Sequence, residues 1–217
     1  MNQPALTWTD SDTPVATAFD DPYFTGGIDE TRHVFLAGND LPGRLGDGFH
    51  VAELGFGTGL NLLALADLWA GPGTIRFTSF EAFPMAQADM VRALAPFALP
   101  QTDALVAQWH GDGPVRHVVL PGIQAEILIG DARQTLPAWQ GRADAWFLDG
   151  FAPARNPELW SDALLAQVAR HTAPGGTAAT YTAAGHVRRA LQAAGFGVTR
   201  QPGFGRKKHM TTARMPT

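Results

Sequence analysis

The chain has 217 residues, of which 45% are hydrophobic and 17% charged, and it contains no cysteine. That length and apolar content suit one domain with a real core, and the missing thiols exclude disulfides, cysteine-ligated zinc and thiol nucleophiles. The net charge of −4 conceals a split: residues 1–162 hold all 20 acids against 8 bases, net −12, while residues 163–217 hold 8 bases and no acid, net +8.

Residues 1–48 read as irregular, broken by Pro4, Pro14, Pro22, Gly26, Gly27, Pro42 and Gly43, with Trp8, Phe19, Tyr23, Phe24 and Phe35 among them. So many aromatics argue against a disordered tail. They predict an ordered N-terminal arm packed on a domain spanning 49–217, with a helix near Ile28 to Ala37. From His50 onward strands and helices alternate. His50 to Gly55 reads as a buried strand, Leu60 to Leu68 as a Leu/Ala-rich helix, and Arg76 to Ala82 as a second strand. Pro84 to Phe97 reads as a helix with proline in its first turn. Segment 100–124 has no clear pattern beyond Val115 to Leu120, which with Pro121-Gly122 opens a hairpin.

Ala125 to Ile129 is a third strand, Ala132 to Trp139 a short helix and Ala143 to Leu148 a fourth strand. A helix is predicted from Asn156, its N-cap, and Pro157 to about Thr172. Thr177 to Thr182 is a fifth strand, and Ala184 to Ala194 a helix capped by Gly195. Phe196 to Gln201 and Met210 to Met215 are closing strands. This alternation predicts an α/β, Rossmann-like fold: a mostly parallel sheet covered on both faces, with an antiparallel C-terminal hairpin at one edge.

No stretch approaches the roughly 20 apolar residues of a membrane helix. Met1 to Trp8 lacks the basic start and apolar run of a signal peptide, so a soluble, cytoplasmic protein is expected. The one-signed C-terminal part suits a polyanionic partner such as nucleic acid, and suits a solvated basic face equally well.

The chemistry concentrates where strands end. Glu53-Leu-Gly55-Phe-Gly57-Thr-Gly59 joins the first predicted strand to its helix. Glycines there let the backbone turn sharply and approach a ligand. The spacing is Gly-x-Gly-x-Gly, neither a dinucleotide fingerprint nor a P-loop. An acid before the first glycine would repel a pyrophosphate but suits a cationic amino-acid portion, which favours S-adenosylmethionine. The expected cofactor set is therefore Glu53, Gly55, Phe56, Gly57, Gly59 and Asn61, with Glu81, Ala82, Asp131 and Ala132. Glu81 is placed to accept from ribose hydroxyls, or is simply an exposed strand-end acid. Asp131 is placed to receive an adenine amino group, to cap the following helix, or both.

Asp149 closes the almost wholly apolar fourth strand, and so emerges at the sheet edge where ligands bind in such folds. It is the candidate catalytic residue, orienting an amine or taking its proton; the plainer reading is a structural turn aspartate. Phe151 offers an aromatic face and Pro153 shapes the loop. The seven histidines show no ligand spacing and no nucleophile elbow is present, so neither a metal nor a covalent nucleophile is expected.

Several strings together resemble one family. They are Phe19-Asp-Asp-Pro-Tyr-Phe24, Glu30-Thr-Arg-His-Val-Phe35 with Gly38-Asn39, the glycine loop through Asn61, Phe80-Glu-Ala-Phe-Pro84 and Gly130-Asp-Ala-Arg133. To these add Leu148-Asp-Gly-Phe-Ala-Pro-Ala-Arg-Asn-Pro157 with Trp160, Thr182-Ala-Ala-Gly185, Val187-Arg-Arg189 and Gly203-Phe-Gly-Arg-Lys-Lys208. The family is the methyltransferase domain of the bacterial enzyme that completes 5-methylaminomethyl-2-thiouridine at the tRNA wobble position. The match runs nearly end to end, and the string around Asp149 is its most specific part.

The resemblance implies methylation of the primary amine of 5-aminomethyl-2-thiouridine. In that family the domain is often fused to a flavin-dependent oxidase. No second glycine fingerprint follows here, which implies a stand-alone form whose oxidase is a separate protein or absent. The flipped uridine is expected against Tyr23, Phe24 or Phe151, and anticodon-stem phosphates on Arg188, Arg189, Arg206, Lys207 and Lys208. Three rivals stand beside this reading. They are a methyltransferase of a small amine, a nucleotide-cofactor oxidoreductase disfavoured by the glycine spacing, and a non-catalytic RNA-binding relative.

Overall fold

The structure, a computed structural model, describes residues 3–217. Three short strands come first: β1 (Leu6–Trp8), β2 (Pro14–Ala16) and β3 (Asp21–Pro22), which pair antiparallel only with one another. Residues expected to be irregular thus form a small sheet of their own. Strands of two or three residues are too short to display an alternation in sequence. Next comes a helical run: α1 (Gly27–Thr31), a π-helical turn (Arg32–Leu36), a 3-10 turn (Ala37–Asn39) and α2 (Leu41–Arg44). Val34, Phe35, Leu36 and Leu41 of this run are buried in the main core. Residues of this run thus contribute side chains to the core itself.

The remaining elements are β4 (His50–Leu54), α3 (Leu60–Leu68), β5 (Ile75–Glu81), α4 (Gln87–Leu94), α5 (Thr102–Gln108), β6 (Val115–Leu120) and β7 (Ile123–Ile129). They continue with α6 (Ala132–Ala138), β8 (Ala143–Leu148), α7 (Asp162–Arg170), β9 (Thr172–Thr180), α8 (Gly185–Ala193), β10 (Gly197–Pro202) and β11 (His209–Arg214). The eight strands of the large sheet lie in the order β10-β11-β9-β8-β4-β5-β7-β6. The five central strands are parallel, and β6, β10 and β11 run antiparallel at the two edges. The predicted C-terminal hairpin is present, and Pro121-Gly122 turns a second one, with Gly122 at φ +69°.

Alternation along the central strands feeds two cores. In β8, Ala145 and Phe147 join Phe77 and the α3 leucines, while Trp146 and Leu148 join Leu165 and Val187 on the other face. The chain runs from β4 outward through β5 and β7, then crosses to β8 on the opposite side of β4. That reversal leaves a crevice outside the C-terminal ends of β4 and β8, where open α/β sheets bind ligands.

Two helix predictions shift. The helix expected from Asn156 is one 3-10 turn, Pro157–Trp160, followed by α7, and Asn156 makes no side-chain cap. Ser161 is extended and its Oγ accepts from Leu164 N at 3.4 Å, so the cap that starts the long helix is Ser161. The helix expected from Pro84 starts at Gln87, after an extended Ala86. Among the described residues no helix is long and apolar enough to cross a membrane.

Candidate active site

The floor of the crevice is the turn after β4. Gly55, Gly57 and Gly59 have φ of +83°, +54° and +79°, values that side chains rarely tolerate. A Cβ at Gly55 would lie 2.8 Å from the carbonyl oxygen of Asp149, and one at Gly57 would lie 3.1 Å from the Tyr23 ring. The glycine turn, the Asp149 loop and the N-terminal segment therefore close on one another only without side chains. A cavity of about 1070 Å³ opens above them.

Glu81, at the end of β5, is fixed from below. Gly57 N–H donates to its Oε2 at 2.9 Å and Phe83 N–H to its Oε1 at 2.7 Å. Burial raises its pKa, against the pull of these backbone donors. The carboxylate also borders the cavity, where a ligand hydroxyl could donate to it. Glu81 and Ala82 line the cavity together with Gly55, Phe56, Gly57, Asn61, Asp131 and Ala132. A glycine cradle, an anchored carboxylate at the cavity wall and this volume fit a nucleoside cofactor such as S-adenosylmethionine.

Two of the expected cofactor residues sit elsewhere. Glu53 is fully buried beneath the turn and does not line the cavity. Its Oε1 accepts from Asn61 Nδ2 at 2.8 Å and its Oε2 from Ser79 Oγ at 2.7 Å. Burial pushes its pKa well above the ordinary carboxylate range. The expected contact between Glu53 and a cationic amino-acid portion is thus replaced by a link through Asn61. Gly59 starts α3 and faces Leu105 and Phe56 rather than the cavity. Phe56 is itself mostly buried, stacked on Trp109 at 4.8 Å between centroids.

Asp149 stands at the cavity wall at the end of β8. Its Oδ2 accepts from Asn61 Nδ2 at 2.8 Å and its Oδ1 from Gly150 N–H at 2.9 Å. Asn61 Oδ1 accepts from Thr31 at 3.0 Å, which fixes the amide orientation. Burial raises Asp149 to about 6, above the ordinary aspartate value. Burial thus brings its titration nearer to neutrality than that of an ordinary aspartate, which suits a group that takes a proton.

Asp131 lines the far side and does cap α6, accepting from Arg133 N at 2.8 Å. Its carboxylate also carries the Arg133 guanidinium, at 2.6 Å from Nη2, and these hydrogen bonds hold it below its ordinary pKa. An adenine amino group would share this carboxylate with Arg133.

The near side is aromatic. Phe151 stacks on Phe19 at 4.6 Å and meets Tyr23 edge-on at 5.1 Å, while Phe24 rests edge-on against Phe97. One face of Phe151 is therefore already covered. Burial pushes the Tyr23 and Tyr181 phenols above their ordinary pKa. Pro153 does not line the cavity. Of the five basic residues expected on a phosphate surface, Lys207 instead points into the cavity. Its Nζ lies 2.8 Å from Glu30 Oε1 and 4.0 Å from the Tyr181 ring centroid. Arg189, Arg206 and Lys208 are exposed and Arg188 half-buried, and none of the four makes an ion pair among the described residues. Both basic segments lie at the cavity end of the sheet, because α8 follows the C-terminal end of β9 and the 203–208 loop enters antiparallel β11 there.

Glu30, Phe19, Asp21 and Tyr181 also line the cavity, beyond the residues expected from sequence. Glu30 accepts from Thr25 and Gly26 as well as Lys207, and Asp21 Oδ2 accepts from Ala152 N–H at 2.7 Å. Tyr181 donates to Gly150 O at 2.7 Å. Phe19, Asp21 and Glu30 fall inside strings that carry the resemblance, whereas Tyr181 stands one residue before such a string. No cluster of potential metal ligands occurs among the described residues.

Residues 100–216 match a family described as S-adenosyl-L-methionine-dependent methyltransferase. The chain is 46% identical over 231 residues to the tRNA 5-methylaminomethyl-2-thiouridine biosynthesis bifunctional protein MnmC of Caulobacter sp. strain K31, covering 97% of this chain and 38% of that protein. Against the protein of the same name from Pseudomonas aeruginosa strain UCBPP-PA14 it is 47% identical over 221 residues, covering 94% and 34%. The chain thus spans little more than a third of the length of these curated relatives. In fold it is similar to the crystal structure of MNMC2 from Aquifex aeolicus, with a TM-score of 0.78 at 23% identity, covering 100% of this chain and 73% of that one.

Proposed function

The chain belongs to the S-adenosyl-L-methionine-dependent methyltransferase family, and from that premise we propose that it methylates the primary amine of 5-aminomethyl-2-thiouridine at the wobble position of tRNA. The observation that carries the reading is Asp149. It is a carboxylate at the switch-point crevice, held by Asn61 and Gly150 and raised to about 6, with an aromatic wall beside it.

When bound, S-adenosylmethionine supplies a sulfonium methyl that an amine lone pair takes while the C–S bonding pair leaves on sulfur. The positions of this chain's residues support the following roles. Glu81 would hold the ribose hydroxyls, Gly55 and Gly57 would let the backbone close on the cofactor, and Ala82, Asp131 and Ala132 would border the adenine. Asp149 accepts a hydrogen bond from the neutral amine, orients its lone pair, and takes the proton that the methylated nitrogen must lose. Tyr23, Phe24 and the uncovered side of Phe151 receive the flipped base. Arg188, Arg189, Arg206 and Lys208 hold phosphates of the anticodon stem. The reaction takes place in the cytoplasm on tRNA, downstream of an oxidase activity that furnishes the amine.

The test is transfer of labelled methyl to tRNA from cells lacking this activity, followed by nucleoside analysis. Label is expected in 5-methylaminomethyl-2-thiouridine. Label confined to free small amines, or none in a single turnover, would overturn the assignment.

A further inference from the structure

Lys207 was expected among the phosphate-binding bases, yet the structure seats it in the cavity. Arg133 and Lys207 are the two basic side chains of the cavity wall. Arg133 is spent on Asp131 at the adenine side, so Lys207 is the cation of the other end. Its anchor is rigid. Glu30 is mostly buried in α1 and takes Thr25 Oγ1 at 3.1 Å and Gly26 N–H at 2.9 Å on one oxygen, leaving the other for Lys207 Nζ at 2.8 Å. Burial alone would raise Glu30, but Lys207, with Gly26 and Thr25, brings it below the ordinary glutamate value. The Lys207 ammonium also lies over the ring of Tyr181, whose hydroxyl donates to Gly150 O in the Asp149 loop.

We propose that Lys207 is a specificity-determining residue, a fixed cation at the acceptor end of the cavity that selects the neutral amine over its ammonium form. The inference rests on the amine reading given above. An alkylamine is mostly protonated near neutrality and its ammonium has no lone pair to attack with. Without Lys207 the amine would face Asp149 and Glu30, with Asp21 beyond them, and a carboxylate pair stabilises an ammonium. Lys207 cancels Glu30 and leaves Asp149 as the single acceptor directed at the amine. Tyr181 stays neutral, and Arg206 and Lys208 of the same loop lie outside the cavity, so neither replaces the charge of Lys207.

The test is the pH dependence of single-turnover methyl transfer to aminomethyl-uridine RNA over roughly pH 6 to 10. The comparison is between the native protein, Lys207→Met, Lys207→Arg and the double variant Glu30→Gln/Lys207→Met. For Lys207→Met the midpoint of the rising limb is expected to move up by about one unit, a near tenfold lower rate around neutrality that alkaline pH recovers. Lys207→Arg keeps the native midpoint. The double variant, which removes both charges of the pair, returns toward it, and this holds even if Glu30 left unpaired weakens the single variant's fold. An unmoved midpoint with a uniformly lower plateau would overturn the proposal, as would a loss confined to RNA affinity that grows with salt. If the native protein binds S-adenosylmethionine by calorimetry but transfers no methyl to this RNA, the amine reading itself falls and takes the proposal with it. An unmoved midpoint with native turnover intact removes Lys207 alone.

Discussion

Asn61 and Asp149 are joined by a 2.8 Å hydrogen bond from Nδ2 to Oδ2, and the same Nδ2 reaches Glu53 Oε1 at 2.8 Å. One amide from the first turn of α3 thus connects the end of β8 to a buried acid of β4. Replacing Asn61 with alanine leaves both carboxyls short of a donor. A loss of about 2 to 4 kcal/mol is expected in urea denaturation, together with an upward move of the Asp149 titration in the activity profile. A loss under about 1 kcal/mol would mean that the bridge contributes little.

Asp149→Asn should separate function from stability. The folded-state pKa of Asp149 is raised to about 6. Its charge therefore opposes folding as pH rises through that value, and the opposition is absent below the unfolded pKa. The variant is expected to melt at higher temperature than the native protein near pH 8, by up to about 3 kcal/mol of stability, with the gain shrinking toward pH 4. Methyl transfer should fall at least about a hundredfold. Retained turnover would remove Asp149 from the chemistry.

What could be read from sequence followed the apolar runs. Runs such as Ala143 to Leu148 fix where a strand ends, and so place Glu81, Asp149 and the glycine turn at one sheet edge. Glu53 shows the limit of that logic. Its closeness to the turn suggested a ligand contact, but period-two alternation puts it on the Val51 side of β4, and only the packing of α3 shows that Asn61 intervenes. Glu30 and Lys207 meet across 177 positions, a separation no local pattern can encode. The small N-terminal sheet escaped because its strands are too short to alternate. Asn156 lost its capping role to Ser161, since both residue types cap helices and only the extended backbone at Ser161 decides between them.

His50 gives a stability signature at the other end of the sheet. Burial, then the charge of Arg76, lowers it to about 4, and its Nε2 lies 2.8 Å from Thr78 Oγ1. A histidine depressed in the folded state is neutral there while the unfolded chain takes a proton. Stability from this group is therefore complete above the unfolded value near 6.5 and is lost as pH falls toward 4. The loss is expected to reach about 3 kcal/mol at most. Carboxyls raised by burial act oppositely in this range, so the measured quantity is the native minus His50→Gln difference in urea stability across the window. A difference that stays flat would show that His50 titrates normally.

The basic C-terminal part makes a quantitative claim about RNA binding. Arg188 and Arg189 on α8 and Arg206 and Lys208 before β11 lie at the cavity end of the sheet, without carboxylate partners among the described residues. Unpaired bases that bind phosphates displace condensed counterions, so affinity should fall linearly on a log–log plot against salt. Converting Arg189 and Lys208 to glutamine should reduce that slope by up to about 2 and weaken binding alike for all tRNA sequences. Binding of S-adenosylmethionine should not change, because neither residue lines the cavity. A slope that survives both substitutions would move the phosphate contacts to another face and leave the +8 charge as a solvated surface.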